Sequence, residues 1–348
     1  MDHCIVSFAT WPPGLTQVLA SAGVVRRLPG LEACVSGAVP QPVPLDPARP
    51  SGPSGPPESA HGPAGADVTA LDPELTWSPP HEQALAAALG LQVADGCVPL
   101  AGLAAARAGL PADGRVWARV TPTHWQLGTE QITLHDPEEL ALDEASSRAL
   151  FEAARLLFEE EGFEWRWVSP TLWLVSHASL QGLPCASLDR VSGRNVDLWL
   201  AADPRARLVR RLQNEVQMLW HAHPLNAERE AQGLPVVNSF WLDGCGPVPA
   251  AEVLARAASV RLDQRLRRPA LQGDAEAWLE ALSALDAEVI QPAMAAAAGG
   301  AEVHITLCGE RTSFTLRPQA PRGVWQRLSQ AWRQRQAPLR VQRLLESL

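Results

Sequence analysis

Arg211-Leu212-Gln213-Asn214-Glu215-Val216-Gln217-Met218-Leu219-Trp220-His221-Ala222-His223-Pro224-Leu225-Asn226, continued by Asn238-Ser239-Phe240-Trp241-Leu242-Asp243-Gly244-Cys245-Gly246, reads as a helix, a loop and a strand. Leu208, Leu212, Val216 and Leu219 recur at three- and four-residue spacing, which predicts a helix opened by Pro204. Pro224 has no N–H to give a helical ladder, so the helix is expected to stop there. His221, His223 and Asn226 then fall on its exit loop, with Arg229 and Glu230 just beyond. Gly233-Leu234-Pro235 turns the chain into a strand over Val236–Leu242, and Gly244-Cys245-Gly246 reads as the turn that ends it. Polar groups and glycines are denser here than a core needs.

Outward from this unit, helical and extended patterns alternate. Asp143 is placed to cap a helix running to Glu160, with Ala149, Leu150, Ala153, Leu156 and Leu157 on one stripe and Gly162 past its end. Trp165–Val168 and Leu172–Ser176 flank Ser169-Pro170-Thr171 as a hairpin. Strands are expected at Cys4–Phe8, Arg115–Thr121, Glu130–Leu134, Val303–Leu307 and Ser313–Leu316. Helices are expected at Pro13–Ala22, His81–Leu91, Pro249–Ala258, Asp274–Ala298 and Val324–Gln334. This alternation predicts an α/β fold with a mixed or mostly parallel sheet covered by helices. Residues 39–80, rich in Pro and Gly, cannot supply ladder donors or a regular helix and read as a flexible linker. The expected organisation is therefore 1–38 as an N-terminal strand and helix, 39–80 as linker, and 81–348 as the main domain.

Composition bounds the function. The 348 residues can bury a large core, and no apolar run reaches the length of a membrane span. The acidic start Met1-Asp2 lacks the basic flank of a secretory signal, so a cytoplasmic location is expected. The 29 basic side chains are all arginine and there is no tyrosine, which excludes lysine chemistry, the Walker A phosphate loop included. Arginine still grips carboxylate or phosphate through paired bonds, so anion binding stays open. A net charge of −9 argues against general nucleic-acid binding. The six cysteines (4, 34, 97, 185, 245 and 308) are scattered without a Cys-x-x-Cys pair, which excludes a zinc ribbon.

Two readings compete for the central stretch. As a ligand site, His223, Asn226 and Arg229 would offer imidazole, carboxamide and guanidinium donors to an anion, with Asn238 and Asp243 fixing the loop. Alternatively, the same groups satisfy backbone where the helix ends. If Arg229 holds a ligand, Arg229→Ala should leave the melting point of the free protein nearly unchanged. His221, His223, Asp243 and Cys245 are acceptable metal ligands by type, yet no spacing aims them at one point, so no metal site is assigned. Cys245 could be a nucleophile only with a base such as His223 beside it; a buried thiol is the simpler reading. The carboxyl end gathers arginines, with Trp325 and Trp332 seven residues apart on one helical face. That face suits either core closure or an anionic partner.

Asn214-Glu215-Val216-Gln217-Met218-Leu219, His223-Pro224-Leu225-Asn226, Arg229, Gly233-Leu234-Pro235, Asn238-Ser239-Phe240-Trp241 and Gly244-Cys245-Gly246 together resemble the signature of RpfE-type bacterial regulatory proteins. The likeness is close over 204–248 and loose elsewhere. His223-Pro224, Asn226, Arg229, Asn238 and Trp241 are also similar to positions in archaeal-type cofactor-independent phosphoglycerate mutases. That resemblance implies a degenerate alkaline-phosphatase-like fold, in which two divalent metals and a phosphorylated serine carry the reaction. Such chemistry needs an Asp-Gly motif after the first strand and an Asp-His pair after a late one. Here Thr10-Trp11-Pro12-Pro13 and Cys308-Gly309-Glu310 stand there instead. The resemblance thus implies a non-catalytic regulator that uses no cofactor and binds a phosphorylated metabolite or a protein partner. The alternative is a divergent Mn- or Mg-dependent mutase or phosphatase.

Overall fold

The structure, a computed structural model, describes residues 3–16, 28–38, 40–43, 75–129, 131–318 and 336–348. In chain order its strands are β1 (His3–Val6), β2 (Gln41–Pro42), β3 (Val116–Thr123), β4 (Trp125–Leu127), β5 (Ile132–Leu134) and β6 (Glu164–Ser169). They continue with β7 (Leu172–Ser176), β8 (Ser239–Pro247), β9 (Val260–Asp263), β10 (His304–Cys308) and β11 (Ser313–Leu316). The chain divides into two compact units, one made of Met1–Leu45, Pro79–Gln92 and Ala255–Leu348, the other of Asp46–Ser78 and Val93–Leu254. This division differs from the expected one at 1–38 and 81–348. The first strand is laid between strands from the far end of the sequence, and the boundaries follow that pairing. Of the expected 39–80 linker, residues 39 and 44–74 lie outside the described residues. Gln41–Pro42 pairs with β11 as β2, and Trp77 N and Ser78 N donate to Asp95, so both ends of the segment are tied into structure where a free linker was expected. The second half of the Pro13–Ala22 helix and the Val324–Gln334 helix with Trp325 and Trp332 also lie outside the described residues.

The first unit holds a mixed sheet in the order β2-β11-β10-β1-β9. β1 runs parallel to both β9 and β10, pairing Val6 with Asp263 and with Leu307, while β11 returns antiparallel to β10. Ile5, Cys4 and Val6 are buried, as a central parallel strand covered on both faces requires. One face packs on the helices Pro29–Gly37, Ala275–Leu285 and Ala337–Glu346 through Leu31, Trp278, Leu282 and Leu345. The other takes the helix Pro80–Ala88, whose Ala84 meets Ile5 and Cys308.

The long helix expected over Asp274–Ala298 is interrupted by a π-helical turn, Asp286–Ile290. Pro292 lacks a donor, and its ring would collide with the carbonyl one turn back; a wider turn relieves both problems. The turn also aims the buried Asp286 carboxylate at the start of the Pro29–Gly37 helix, where it accepts from Gly30 N (3.0 Å) and Leu31 N (2.6 Å).

At the start of β1, His3 Nε2 sits 2.6 Å from Thr306 Oγ1, which in turn meets Thr315 Oγ1 at 2.8 Å. Burial, with the charges of His304 and Arg317 added, lowers the His3 pKa to about 4. The folded protein therefore keeps this imidazole neutral at a pH where the unfolded chain, near 6.5, takes up a proton. Stability from this group is complete above pH 6.5 and is lost as pH falls toward 4. Urea unfolding at pH 7.5 and 4.5 should show a steeper loss for the natural chain than for His3→Gln. Equal slopes would assign the acid sensitivity to other groups.

The second unit is built on an antiparallel sheet in the order β6-β7-β3-β8, with a separate β4–β5 hairpin. The expected 165–176 hairpin forms as β6 and β7, and Asp143 caps the Glu144–Glu160 helix by accepting from Ser146 N at 2.7 Å. That helix and Arg207–His221 close one face over an aromatic core of Phe151, Phe158, Trp165, Trp173, Trp220 and Phe240. Trp117, Trp173, Trp199, Trp220 and Trp278 are all fully buried, so tryptophan serves the cores of both units.

Candidate functional site

The decisive stretch lies wholly in the second unit, and its local structure departs from the sequence reading at two points. Pro224 does not lead into a loop. The Arg207–His221 helix ends, Ala222 and His223 intervene, and Pro224 begins a new helix, Pro224–Ala231. A proline is at ease in the first turn of a helix, where no donor is needed. His223 is the N-cap: its Nδ1 accepts from Leu225 N at 3.2 Å.

Asn226 and Arg229 consequently point inward rather than into an exit loop, and both are buried. Asn226 Nδ2 donates to Trp220 O and Val237 O, both at 2.8 Å, and its Oδ1 accepts from Val237 N at 2.9 Å. This carboxamide thus ties the end of one helix to the strand that follows. Arg229 Nε donates to Pro235 O at 2.8 Å and Nη2 to Leu140 O at 2.6 Å. Burial lowers its pKa without approaching neutrality.

The second departure concerns the glycines. β8 runs from Ser239 through Pro247, so Gly244-Cys245-Gly246 belong to the strand. Between the pairs Trp117–Gly246 and Arg119–Asp243 the register slips, leaving Gly244 and Cys245 opposite Ala118 in a β-bulge, with Gly244 at φ +66°. The helix Leu100–Arg107 lies directly on this bulge. A Cβ at Gly246 would fall 2.3 Å from Pro99 Cβ, and one at Gly102 would fall 1.9 Å from Pro247 O. Glycine serves here to bring a helix close to a strand, not to admit a ligand.

Asp243 stands opposite Arg119 across β3 and β8, and the two form a paired bond with Nε–Oδ1 and Nη2–Oδ2 both at 2.7 Å. Asp243 Oδ2 also accepts from Leu188 N at 2.7 Å. Asn238 exchanges two hydrogen bonds with the backbone of Trp125, Oδ1 accepting at 2.7 Å and Nδ2 donating at 2.9 Å. Of the five predicted residues, Asn226, Arg229 and Asn238 therefore gather around the 235–238 segment. His223 and Asp243 serve separate places. The ligand donors expected of Asn226 and Arg229 are directed to carbonyl oxygens that the chain itself buries.

Two histidines that the sequence reading passed over lie beside the same segment. His124 Nδ1 bonds Val236 O at 2.9 Å, and its ring packs on that of His135 with centroids 5.3 Å apart. Burial is the main cause that lowers the His124 pKa, with His135 and Arg229 adding to it. His124 stands between strands β3 and β4, and His135 just past β5. Only the β4–β5 pairing, which has no motif of its own, brings them together.

All six cysteines are free thiols, and all but Cys97 are buried. Cys245 sits 3.7 Å from Cys185; the contact with Cys245 and burial raise the Cys185 pKa well above its usual value. Cys185 is thereby held as a protonated, unreactive thiol.

At the carboxyl ends of parallel strands, where α/β sheets hold ligands, the first unit presents Ser7-Phe8-Ala9 after β1, Asp263 at the end of β9, and Gly309 after β10. Phe8 adopts φ +56°, costly for an aromatic residue, and its carbonyl accepts from Trp278 Nε1 at 3.0 Å. Asp263 is buried, and its oxygens are taken by Arg261 Nη2 (2.9 Å) and Arg265 Nε (2.9 Å). Among the described residues no three His, Cys, Asp or Glu side chains converge on a common point. The donors at these strand ends do not fit a two-metal centre.

With this geometry in hand, comparison with known proteins gave a sparse result. No family model matches the chain, and no curated protein matches it. Among solved structures it is similar to a cofactor-independent phosphoglycerate mutase from Thermoplasma acidophilum. That match has 11% identity and a TM-score of 0.32, over 91% of this chain and 89% of that one. It is also similar to the PH0037 protein from Pyrococcus horikoshii, with 12% identity and a TM-score of 0.36 over 92% of this chain and 87% of that one. The assignment as α/β rests on the sheets and helices described above, and no helix among the described residues is long and apolar enough to cross a membrane.

Proposed function

We propose that this chain is a non-catalytic regulatory protein that acts by binding a phosphorylated metabolite or a protein partner. The observation that supports this reading best is the condition of Asp263. It is the one carboxylate ending β1 or a strand paired parallel with it, and two arginines hold it as an internal ion pair. A carboxylate serving a metal-assisted phosphoryl transfer must present its oxygens to the cation. These oxygens are turned to guanidinium groups, and freeing them would leave the buried end of β9 with unpaired charge. The RpfE-like segment at 204–248 agrees with a regulatory lineage, its polar residues forming a rigid frame in the second unit.

The test is ³¹P NMR of the purified protein with 3-phosphoglycerate, Mn²⁺ and Mg²⁺. The expected result is an unchanged substrate spectrum over hours, with no 2-phosphoglycerate or free phosphate. Turnover that is lost in Asp263→Asn would sink the non-catalytic reading and make the chain a divergent mutase or phosphatase.

A further inference from the structure

β9 is an outer strand of the first unit's sheet, held on one side by β1. Ser259 O accepts from His3 N and Asp263 O from Ser7 N, so Ser259, Arg261 and Asp263 turn their backbone groups toward β1. Val260 and Leu262 alternate with them and direct N–H and C=O to the free side. No group meets these atoms there among the described residues, and both residues stay partly exposed.

The other outer strands of the two larger sheets are closed to pairing by familiar means. β2 ends in Pro42, which has no N–H to give. β6 carries a bulge between Trp167 and Ser169. β8 is buried from Ser239 through Gly246. β9 has neither proline nor bulge, and its guard is charge.

That charge has one prevailing sign. Residues 251–271 hold five arginines against Glu252 and Asp263, and the buried Asp263 is already taken by Arg261 and Arg265. Arg256 lays its guanidinium over Gly90, just past the Pro80–Ala88 helix that covers Val260 and Leu262. It is exposed and pairs with no acid among the described residues. Arg261, also exposed, lies on the opposite face of the strand. Cations therefore flank the free edge on both faces.

We infer that the free side of β9 is a docking edge for an extended acidic segment of a partner protein. Backbone bonds to Val260 and Leu262 would add that segment to the sheet, and its carboxylates would stand beside Arg256 and Arg261. A second copy of β9 is disfavoured, because it would bring arginine against arginine. The inference rests on the protein-partner form of the reading above and gives that partner its chemistry. Its failure would leave the non-catalytic reading standing, since ³¹P NMR decides that one separately.

Fluorescence polarisation with a short labelled peptide of alternating glutamate and valine tests it on the full chain. The peptide should bind saturably and more weakly as salt rises, with a lysine–valine peptide at least tenfold weaker. Arg256→Gln combined with Arg261→Gln should weaken binding about tenfold, while Arg265 still holds Asp263. Leu262→Pro removes an outward donor and should do the same, whereas Leu262→Ala should bind like the natural chain. Thermal melts check that these variants fold. Two N-methylated peptides make the same cut with the protein unaltered, one methylated at every valine nitrogen and the other at every glutamate nitrogen. One of the two should lose binding, because only alternate amides of an added strand face β9. The proposal is overturned by equal binding of the basic peptide, by unchanged binding of both methylated peptides, or by natural affinity in the double arginine variant. Displacement by inorganic phosphate at equal concentration would mark a bare anion site and overturn it as well. So would self-association of the free chain that Leu262→Pro abolishes, which would place a second copy on this edge.

Discussion

Arg229→Ala is expected to lower the melting temperature of the ligand-free protein by roughly 6–12 °C, the equivalent of about 3 kcal/mol in a unit of this size. The sequence alone allowed the opposite, a ligand-binding arginine whose removal leaves the free protein unchanged. The geometry favours the structural role. Arg229 is buried, and its two hydrogen bonds go to Pro235 O and Leu140 O. Truncation strands both carbonyls, each costing about 1–3 kcal/mol, and leaves a void where the side chain lay. Arg229→Lys should rescue little, because an ammonium cannot span two carbonyls in the planar geometry of a guanidinium. Thermal unfolding followed by circular dichroism measures this directly. A melting point within about 2 °C of the natural chain would return Arg229 to the list of ligand contacts.

Gly102→Ala is expected to be more damaging still, and its small size makes it the more instructive change. The added methyl would lie 1.9 Å from Pro247 O and 2.5 Å from Pro247 C, both backbone atoms that cannot swing aside. Alanine ordinarily favours a helix over glycine by about 1 kcal/mol, so local propensity predicts stabilisation. Contact overrules it. The Leu100–Arg107 helix would have to lift from β8, exposing Ala101 and Ala105, which pack with Trp117 and Leu174. Overpacking of this kind costs about 1–3 kcal/mol where side chains can yield, and more where backbone opposes it. Gly109→Ala is a poor control because Gly109 has φ +75°. Ala104→Ser, on the same helix and partly exposed, is the better one. The variant should express poorly or melt far below the Ala104→Ser protein, and equal melting points would refute the close approach.

Much of the fold was readable because local signals and tertiary packing agreed. Asp143 and Gly162 marked the two ends of one helix, and the Ser169-Pro170-Thr171 turn marked the β6–β7 hairpin. The buried face of that helix is Ser147, Leu150, Phe151, Ala154 and Phe158, not the expected stripe, whose Ala149 and Leu156 are exposed. In the stretch of polar residues, type and spacing do not reveal orientation. Pro224 signals a helix end and a helix start equally well, and only the second option turns Asn226 and Arg229 inward. Gly244 and Gly246 looked like a turn because a bulged strand uses the same residue. The clue to close packing was Gly102, more than a hundred positions earlier, and nothing local pairs it with Pro247. His124 and His135 escaped notice for a similar reason, since only the hairpin between them makes them neighbours.

The sheet of the first unit has a cost in time. β1 is central, yet its partners are distant: Ser7 bonds to Asp263, 256 residues further along, and Cys4 pairs with both Arg261 and Ile305. During synthesis His3-Cys4-Ile5-Val6 must wait, an apolar strand with both edges bare, while the whole second unit is made. At about 5–20 residues per second that delay is tens of seconds, long compared with the folding of most small domains. Non-local parallel pairing is slow in any case. The second unit, continuous over Val93–Leu254, can fold during the interval, whereas the first cannot close until β10 has left the ribosome. Prematurely ended products, which lack β9 and β10, should therefore aggregate through β1.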